Sequence, residues 1–167
     1  MGDLATRLMA LFALALDLPE RFFDDKFDRH ISHFRIRNHP TAATPPLPHQ
    51  LRAGAHADYG SLTILRAAHT PGGLQVLNRL GAWVYVPIAP GRFIVAIAEL
   101  MSRWTNGHWK ATLHRVVNPP PEQADISRRL SLVYFHNPNY DAEIAALPGT
   151  VPPNEAAARP PTTMSGW

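Results

Sequence analysis

Short apolar segments separated by turn residues restrict the fold of this chain more than any other feature. The turns include Gly72-Gly73, residues 79–81 and Pro90-Gly91. Between such turns lie eight segments of strand length, namely 31–36, 51–56, 61–67, 74–77, 82–88, 92–98, 112–118 and 128–136. Many short strands with frequent turns are typical of a β-sandwich or barrel rather than of a helical bundle. We therefore expect a mainly β fold.

A single helical turn is predicted over residues 101–104, and one longer helix is predicted before the first strand. Its apolar side chains recur at helical spacing, and they are Leu4, Leu8, Leu11, Phe12, Ala15 and Leu16. Asp3 is a suitable N-cap, and Pro19 ends the helix after Leu18. The apolar run also fits the core of a signal peptide, but Asp3 stands where a positive charge is expected. The spacing favours a core helix.

Composition limits the class of protein. The chain has 167 residues, enough for one domain with a sizeable core, and it lacks cysteine, which excludes disulfides and zinc–thiolate sites. The formal net charge is +3 and no dense basic run occurs, so we expect no nucleic-acid partner. The apolar N-terminal run is too short to span a bilayer, so we expect no membrane partner. Without cysteine or a convincing export signal, a cytoplasmic location is predicted.

The chemistry centres on the His56-x-Asp58 sequence. On a strand, residues i and i+2 point to the same side, so an imidazole and a carboxylate can be presented together. A third ligand fits at His114, in another short apolar segment. Two histidines and one carboxylate on one face of an iron leave the opposite positions open, as in non-haem Fe(II) oxygenases.

The remaining histidines fit other roles. Five lie in polar or proline- and glycine-rich surroundings typical of the surface, and they are His30, His33, His49, His69 and His108. His136 follows an apolar strand, where it could line a pocket, but a structural role is the stronger interpretation. The metal hypothesis therefore depends on His56, Asp58 and His114.

An anion-binding pair follows near the last predicted strand. Arg129 and Ser131 share one face by strand alternation, whereas Arg128 falls on the opposite face. An arginine and a hydroxyl group together suit a carboxylate. A 2-oxo acid held there by its far carboxylate could supply the electrons that an iron centre needs to activate dioxygen.

The order of these residues resembles the C-terminal catalytic domain of the 2-oxoglutarate and Fe(II)-dependent dioxygenases, in the isopenicillin N synthase-like group. The likeness extends from about Leu4 to Leu147. Beyond the ligands it is carried by the segments 56–65, 72–76, 83–87, 103–106, 114–119 and 137–141.

The resemblance implies a fold, a set of cofactors and a reaction. The fold is a double-stranded β-helix, or jelly roll, with a flanking N-terminal α-helix. Fe(II) is bound by His56, Asp58 and His114, and 2-oxoglutarate is a cosubstrate whose C5 carboxylate pairs with Arg129 and Ser131. Oxidative decarboxylation to succinate and CO₂ then drives the O₂-dependent oxidation of a small organic substrate, most commonly a hydroxylation.

Three parts of the chain are predicted on this basis. Residues 1–28 form the N-terminal helix and connector, 29–147 form the dioxygenase jelly-roll domain, and 148–167 form a proline-rich tail. Because the tail has proline pairs and no apolar period, we expect it to be loosely packed or disordered.

The chain departs from the family pattern in three places. A tyrosine often precedes the proline after the early strand, and here His39 precedes Pro40. Ala98-Glu99 stands where a Gly-Asp pair is common. The family usually has a further N-terminal region that covers part of the site, and loss of that cover would expose apolar surface. A homodimer through this surface is therefore predicted.

Three functions remain open from the sequence. The first is an active 2-oxoglutarate-dependent dioxygenase, which the five iron and cosubstrate residues favour. The second is a non-catalytic, metal-binding remnant, favoured by the missing N-terminal region. The third is an oxidase like isopenicillin N synthase, which shares the iron ligands but takes its electrons from the substrate.

Overall fold

Two four-stranded antiparallel sheets face each other across the interior of the molecule. A computed structural model describes residues 1–41 and 45–166. One sheet has the strand order β1-β8-β3-β6, and the other has the order β2-β7-β4-β5. The mainly β, double-stranded β-helix fold predicted from the sequence is confirmed.

The strands follow the predicted segments closely. The first sheet contains β1 (His33–His39), β3 (Leu62–Ala67), β6 (Ile94–Ile97) and β8 (Arg129–His136). The second contains β2 (Ala53–His56), β4 (Gly73–Leu77), β5 (Trp83–Tyr85) and β7 (His114–Val117). A two-stranded sheet joins β9 (Glu143–Ile144) to β10 (Thr162–Thr163).

Helices are few. They are α1 (Gly2–Ala15), α2 (Asp24–Phe27) and α3 (Glu99–Trp104), with 3₁₀ segments at Pro121–Ile126 and Met164–Gly166. The sequence predicts α1 and a single turn at the position of α3, but it misses α2 and the 3₁₀ segments. Within the described residues, none of the helices is both long enough and apolar enough to cross a membrane.

Helix α1 packs on the outer face of the first sheet. Ala5, Met9 and Ala13 lie one helical turn apart and are buried. They join a core formed mainly by side chains of β3, α3 and β8, among them Leu62, Ile64, Leu100, Trp104 and Tyr134. The core-helix interpretation fits this packing, since burial of an amphipathic face is what stabilises such a helix.

The predicted helix boundaries need correction. Met1 occupies the N-cap position and Asp3 lies inside the first turn, so Asp3 is not the N-cap. A carboxylate in that turn still interacts favourably with the helix dipole. The helix ends at Ala15, and Asp17 has a φ angle of 56°, a left-handed conformation that stops the helix before Leu18.

The C-terminal segment is held by hydrogen bonds, although residues 152–161 are exposed. β10 pairs with β9, the Arg103 guanidinium donates to the Pro160 carbonyl at 2.8 Å, and the Ala158 amide donates to Asn106 Oδ1 at 2.8 Å. These contacts contradict a disordered tail, and the sequence carries no sign of them because such hydrogen bonds need no apolar period. Residues 42–44 of the predicted jelly-roll part and Trp167 of the predicted tail lie outside the described residues.

His136 lies in the core beside α2 and is 1% exposed. Its ring stacks on Phe27 with centroids 4.3 Å apart, and its Nδ1 lies 3.1 Å from Ser32 Oγ, while its Nε2 has no partner among the described residues. Burial, with a smaller contribution from His30, lowers the pKa of His136 to about 4. The imidazole is therefore neutral at neutral pH, in the structural role that the sequence favours.

The lowered pKa of His136 predicts acid sensitivity. Between pH 6.5 and about 4 the unfolded chain binds a proton at this residue that the folded chain does not. Stability from the neutral imidazole is thus complete above pH 6.5 and falls as the pH drops towards 4, by roughly 3 kcal/mol in all. Urea unfolding across this range should show the loss in the wild type and a flatter profile in His136→Phe. An identical pH dependence in both proteins would contradict it.

Candidate active site

Strand register brings the two predicted histidine ligands together. β2 ends at His56, β7 begins at His114, and these two residues are direct partners in the antiparallel ladder. Their rings lie 4.3 Å apart between centroids. Directly opposed residues on neighbouring strands project to the same face, so both imidazoles point into the space between the sheets.

Asp58 completes the cluster from a loop rather than from a strand. The prediction placed His56 and Asp58 on one strand, but β2 stops at His56 and Asp58 lies two residues beyond. Asp58 Oδ1 is 3.8 Å from His56 Nε2 and 3.9 Å from His114 Nε2, and candidate ligand atoms of all three residues lie within 4.8 Å of one another. Asp58 is buried, His114 is half-buried and His56 is exposed.

Hydrogen bonds fix which nitrogen of each histidine faces the cluster. His56 Nδ1 lies 2.8 Å from the Gly54 carbonyl, and His114 Nδ1 lies 2.9 Å from the Thr112 carbonyl. A carbonyl oxygen can only accept, so each Nδ1 carries the proton and donates it. In the neutral tautomer each Nε2 then presents a lone pair, which is the form that binds metals.

The carboxylate of Asp58 is oriented by Thr63. Thr63 Oγ1 donates a hydrogen bond of 2.6 Å to Asp58 Oδ2, and both side chains are buried. Asp58 Oδ1 therefore remains directed at the two Nε2 atoms. Three acceptor atoms converge without a donor among them, and their separations of 3.8 and 3.9 Å are too long for hydrogen bonds. This donor-free set of two imidazoles and one carboxylate fits a divalent metal.

The loop after Asp58 is held by the start of α3. The Glu99 amide donates to the Asp58 carbonyl at 2.9 Å, and the Leu100 amide donates to the Tyr59 carbonyl at 3.0 Å. A Cβ atom on Gly60 would lie 2.5 Å from the His136 carbonyl oxygen and closer still to the Asn137 side chain. Only glycine allows this approach, so Gly60 fixes the path of the loop that carries Asp58.

A cavity of about 330 Å³ opens beside this cluster, between the two sheets. All five predicted site residues line it, namely His56, Asp58, His114, Arg129 and Ser131. Much of the remaining wall is aliphatic or aromatic, from Leu65, Leu74, Val76, Ile94, Val133 and Phe135. Phe135 lines the cavity, whereas Tyr59 is 68% exposed and Asn137 is buried outside the cavity.

Arg129 and Ser131 form a second polar site on β8. Arg129 is 3% exposed, and burial together with the neighbouring Arg52 lowers its pKa. Within the described part of the chain, Ser131 Oγ is buried without a hydrogen-bond partner, and no carboxylate lies at salt-bridge distance from Arg129. A buried cation and an unpaired hydroxyl require a complementary group. An anion with carboxylate geometry fits both.

Arg128 occupies a different environment from Arg129. Its side chain is exposed, and its Nε donates to Asn38 Oδ1 at 3.3 Å. It does not line the cavity. The structure thus places Arg129, and not its neighbour, where the sequence predicts an anion-binding arginine.

Sequence reasoning missed four residues of the site. Thr63 orients Asp58, Arg37 and His39 line the cavity, and Arg52 donates to Ser127 close to Arg129. Burial, with Arg129 and other nearby arginines, lowers the pKa of His39. The detectable signal was the alternation of basic residues over 33–39, although Arg37 and His39 lie beyond the predicted strand 31–36. Thr63 and Arg52 could be identified only from tertiary contacts.

Comparisons with known proteins agree with this geometry. The model of the 2OG-Fe(II) oxygenase superfamily matches residues 30–138. A 2-oxoglutarate-Fe(II) type oxidoreductase of Aspergillus fumigatus is 36% identical, over 97% of this chain and 47% of that protein. Homoarginine-6-hydroxylase 2-ODD-233 of Oryza sativa subsp. japonica is 33% identical, over 86% of this chain and 43% of its own. The chain thus spans about half the length of these curated relatives.

Two solved structures also superimpose on nearly the whole of this chain. A full-length Neurospora crassa protein in complex with alpha-KG superimposes with a TM-score of 0.89 at 31% identity, covering 98% of this chain and 51% of that protein. A 2OG-Fe(II) oxygenase family protein from Caulobacter crescentus gives a TM-score of 0.86 at 30% identity, covering 98% of this chain and 52% of that protein.

The hydrogen bond from Thr63 predicts a specific metal-binding defect. Thr63→Val keeps the shape of the side chain but frees Asp58 Oδ2, so the affinity for Mn(II) should fall by roughly tenfold or more. Free Mn(II) can be followed by electron paramagnetic resonance during titration. Thr6→Val is the control, because it removes a threonine hydrogen bond on α1, far in sequence from the cluster. Equal affinities in Thr63→Val and the wild type would contradict the assigned role.

Proposed function

This chain belongs to the 2OG-Fe(II) oxygenase superfamily, and from that membership we propose that it couples oxidative decarboxylation of 2-oxoglutarate to O₂-dependent oxidation of a small organic substrate at Fe(II). One observation carries the proposal. The donor-free cluster of His56, Asp58 and His114 opens on the same cavity as the unpaired Arg129 and Ser131. The presence of a cation-binding group and a carboxylate-binding group in one cavity supports the binding of a metal together with a 2-oxo acid.

His56, Asp58 and His114 would hold the Fe(II). The proton on each Nδ1 keeps both Nε2 lone pairs directed at the metal position. Asp58 neutralises one of the two metal charges, and Thr63 holds its orientation. Bound there, Fe(II) with 2-oxoglutarate supplies the electrons that reduce O₂ and an oxidant for a substrate C–H bond, with succinate and CO₂ as coproducts.

Arg129 and Ser131 would bind the C5 carboxylate of 2-oxoglutarate. In this buried position the ion pair is weakly screened, and the carboxylate also satisfies the Ser131 hydroxyl. The apolar side chains of the cavity wall limit the access of water to the reacting groups. Hydroxylation is the proposed outcome.

The same residues bear on the two alternative functions, the oxidase and the non-catalytic remnant. An oxidase that takes its electrons from the substrate needs no cosubstrate carboxylate, so in such an enzyme Arg129 and Ser131 would have to bind a carboxylate of the substrate instead. A non-catalytic remnant would not need to keep Thr63, Gly60 and both Nδ1 contacts in place around the cluster. The dioxygenase is therefore the function that the residues support best.

Anaerobic titration of Fe(II) and 2-oxoglutarate tests the proposal. The chelate should give a weak visible charge-transfer band. The band should be lost in His114→Ala, which removes a metal ligand, and in Arg129→Ala, which removes the carboxylate partner. Arg128→Ala is the matched control and should keep the band, because its side chain is exposed and lies outside the cavity.

Each failure of this titration has a distinct meaning. Iron binding without the band in the wild type would contradict a 2-oxoglutarate site and favour the oxidase or the remnant. Turnover without added 2-oxoglutarate, or full activity in Arg129→Ala, would establish the oxidase. Conversion of 2-oxoglutarate to succinate that is abolished in His114→Ala would rule out the remnant.

We also propose self-association through the outer face of β1 and β8. Phe34, Ile36 and Leu130 project from that face with exposed fractions of 50%, 63% and 46%. Light scattering should report a dimer of the wild type and a monomer of Ile36→Lys, because a buried unpaired lysine disfavours the interface. A monomeric wild type at high micromolar concentration would contradict this.

The cytoplasmic location stays a prediction.

A further inference from the structure

The cavity face of β1 is basic. Arg35, Arg37 and His39 alternate along this strand, and their direct partners on β8 are Val133, Ser131 and Arg129. All three partners line the cavity, as do Arg37 and His39 themselves. Because directly opposed residues share a face, this stripe forms one side of the cavity next to the proposed cosubstrate site.

The proposed cofactors leave the charge of Arg37 uncompensated. Among the residues that line the cavity, Asp58 is the single carboxylate in the described structure. The dication, the Asp58 carboxylate, the 2-oxoglutarate dianion and Arg129 together sum to zero net charge. Burial, together with Arg129, Arg52 and Arg37, lowers the pKa of His39 and so disfavours a further positive charge there. No described carboxylate lies at salt-bridge distance from Arg37.

The side-chain contacts of Arg37 differ from those of Arg35 and Arg52. Arg35 lies over the Phe135 ring at 5.5 Å, and Arg52 donates two hydrogen bonds to Ser127. Within the described residues Arg37 has neither kind of contact, and it lines the cavity as an exposed residue of β1. A planar guanidinium matches one carboxylate through two parallel hydrogen bonds.

We propose that Arg37 binds the carboxylate of the organic substrate, and that the substrate class is a monocarboxylic acid with an apolar body. The apolar body is inferred from the aliphatic and aromatic wall that faces the stripe. This inference rests on the proposed function, since it assigns the second anion of a site whose first anion is 2-oxoglutarate.

A competing role for Arg37 makes a different prediction. Charged side chains on an edge strand discourage pairing with other chains, and β1 is the edge of its sheet. If that were the whole role of Arg37, acids and their neutral amides would bind the cavity equally well.

Calorimetric titration of the full chain loaded with Mn(II) and 2-oxoglutarate distinguishes the two roles. The probes are 3-phenylpropanoate, octanoate and cyclohexylacetate, each paired with its primary amide. At least one acid should bind roughly tenfold or more tightly than its amide, as expected for a charge-assisted hydrogen-bonded pair. Arg37→Gln should abolish that preference, Arg37→Lys should retain part of it, and Arg128→Gln should leave it unchanged.

Binding of 2-oxoglutarate to the Mn(II)-loaded protein should be measured in the same variants. It distinguishes a failure of the substrate inference from a failure of the proposed function. Arg37→Gln should keep the affinity for 2-oxoglutarate within about twofold, because that carboxylate is assigned to Arg129. Loss of 2-oxoglutarate binding in Arg37→Gln, equal binding of acids and amides, or no binding of any acid would overturn the substrate inference. Failure of the wild type to bind Mn(II) and 2-oxoglutarate would instead overturn the proposed function.

Discussion

The pairing of β2 with β7 is the interaction on which the site depends. It sets His56 directly opposite His114, so that two imidazoles separated by 58 positions of chain share one face. A shift of one residue in this register would turn one imidazole away from the other. The Asp58 loop, fixed by α3 and by the close approach at Gly60, then adds the carboxylate to a pair that the sheet has already formed.

Charge is distributed unevenly in the cavity between the sheets. Among the described residues, three acceptor atoms converge without a donor at one place, and at another Ser131 Oγ has no hydrogen-bond partner and Arg129 has no carboxylate at salt-bridge distance. Each arrangement is unfavourable alone, because buried polar groups without partners lose their hydration. A metal with a bound dicarboxylate would satisfy both, which explains why a folded domain keeps two such groups in one cavity. Arg37 adds a further positive charge on the β1 side.

Much of the fold and of the candidate site could be predicted from the sequence, for reasons that differ between the two. The strands were recognisable because each is short, apolar and bounded by turn residues, and α1 because its apolar spacing matches a helix. His56, Asp58, His114, Arg129 and Ser131 were found because their spacing carries chemical meaning and resembles a known family. Their positions on one cavity agree with the structure, while their roles remain predictions.

Other features depend on contacts between distant parts of the chain. The hydrogen bond from Thr63 to Asp58, the carbonyl contacts of both histidines and the packing of the C-terminal segment on α3 leave no periodic signal. Asp3 has the chemistry of an N-cap, but Met1 takes the position because the helix starts at Gly2. Local propensity gave a reasonable but wrong boundary there.

An anomalous difference map from anaerobic crystals soaked with Fe(II) and 2-oxoglutarate, recorded at the iron absorption edge, tests the central claim most directly. The account predicts one strong peak bound by His56 Nε2, His114 Nε2 and an Asp58 carboxylate oxygen, with 2-oxoglutarate density reaching Arg129 and Ser131. A peak bound through either Nδ1, a peak at other residues, or a cosubstrate that does not contact Arg129 would contradict it.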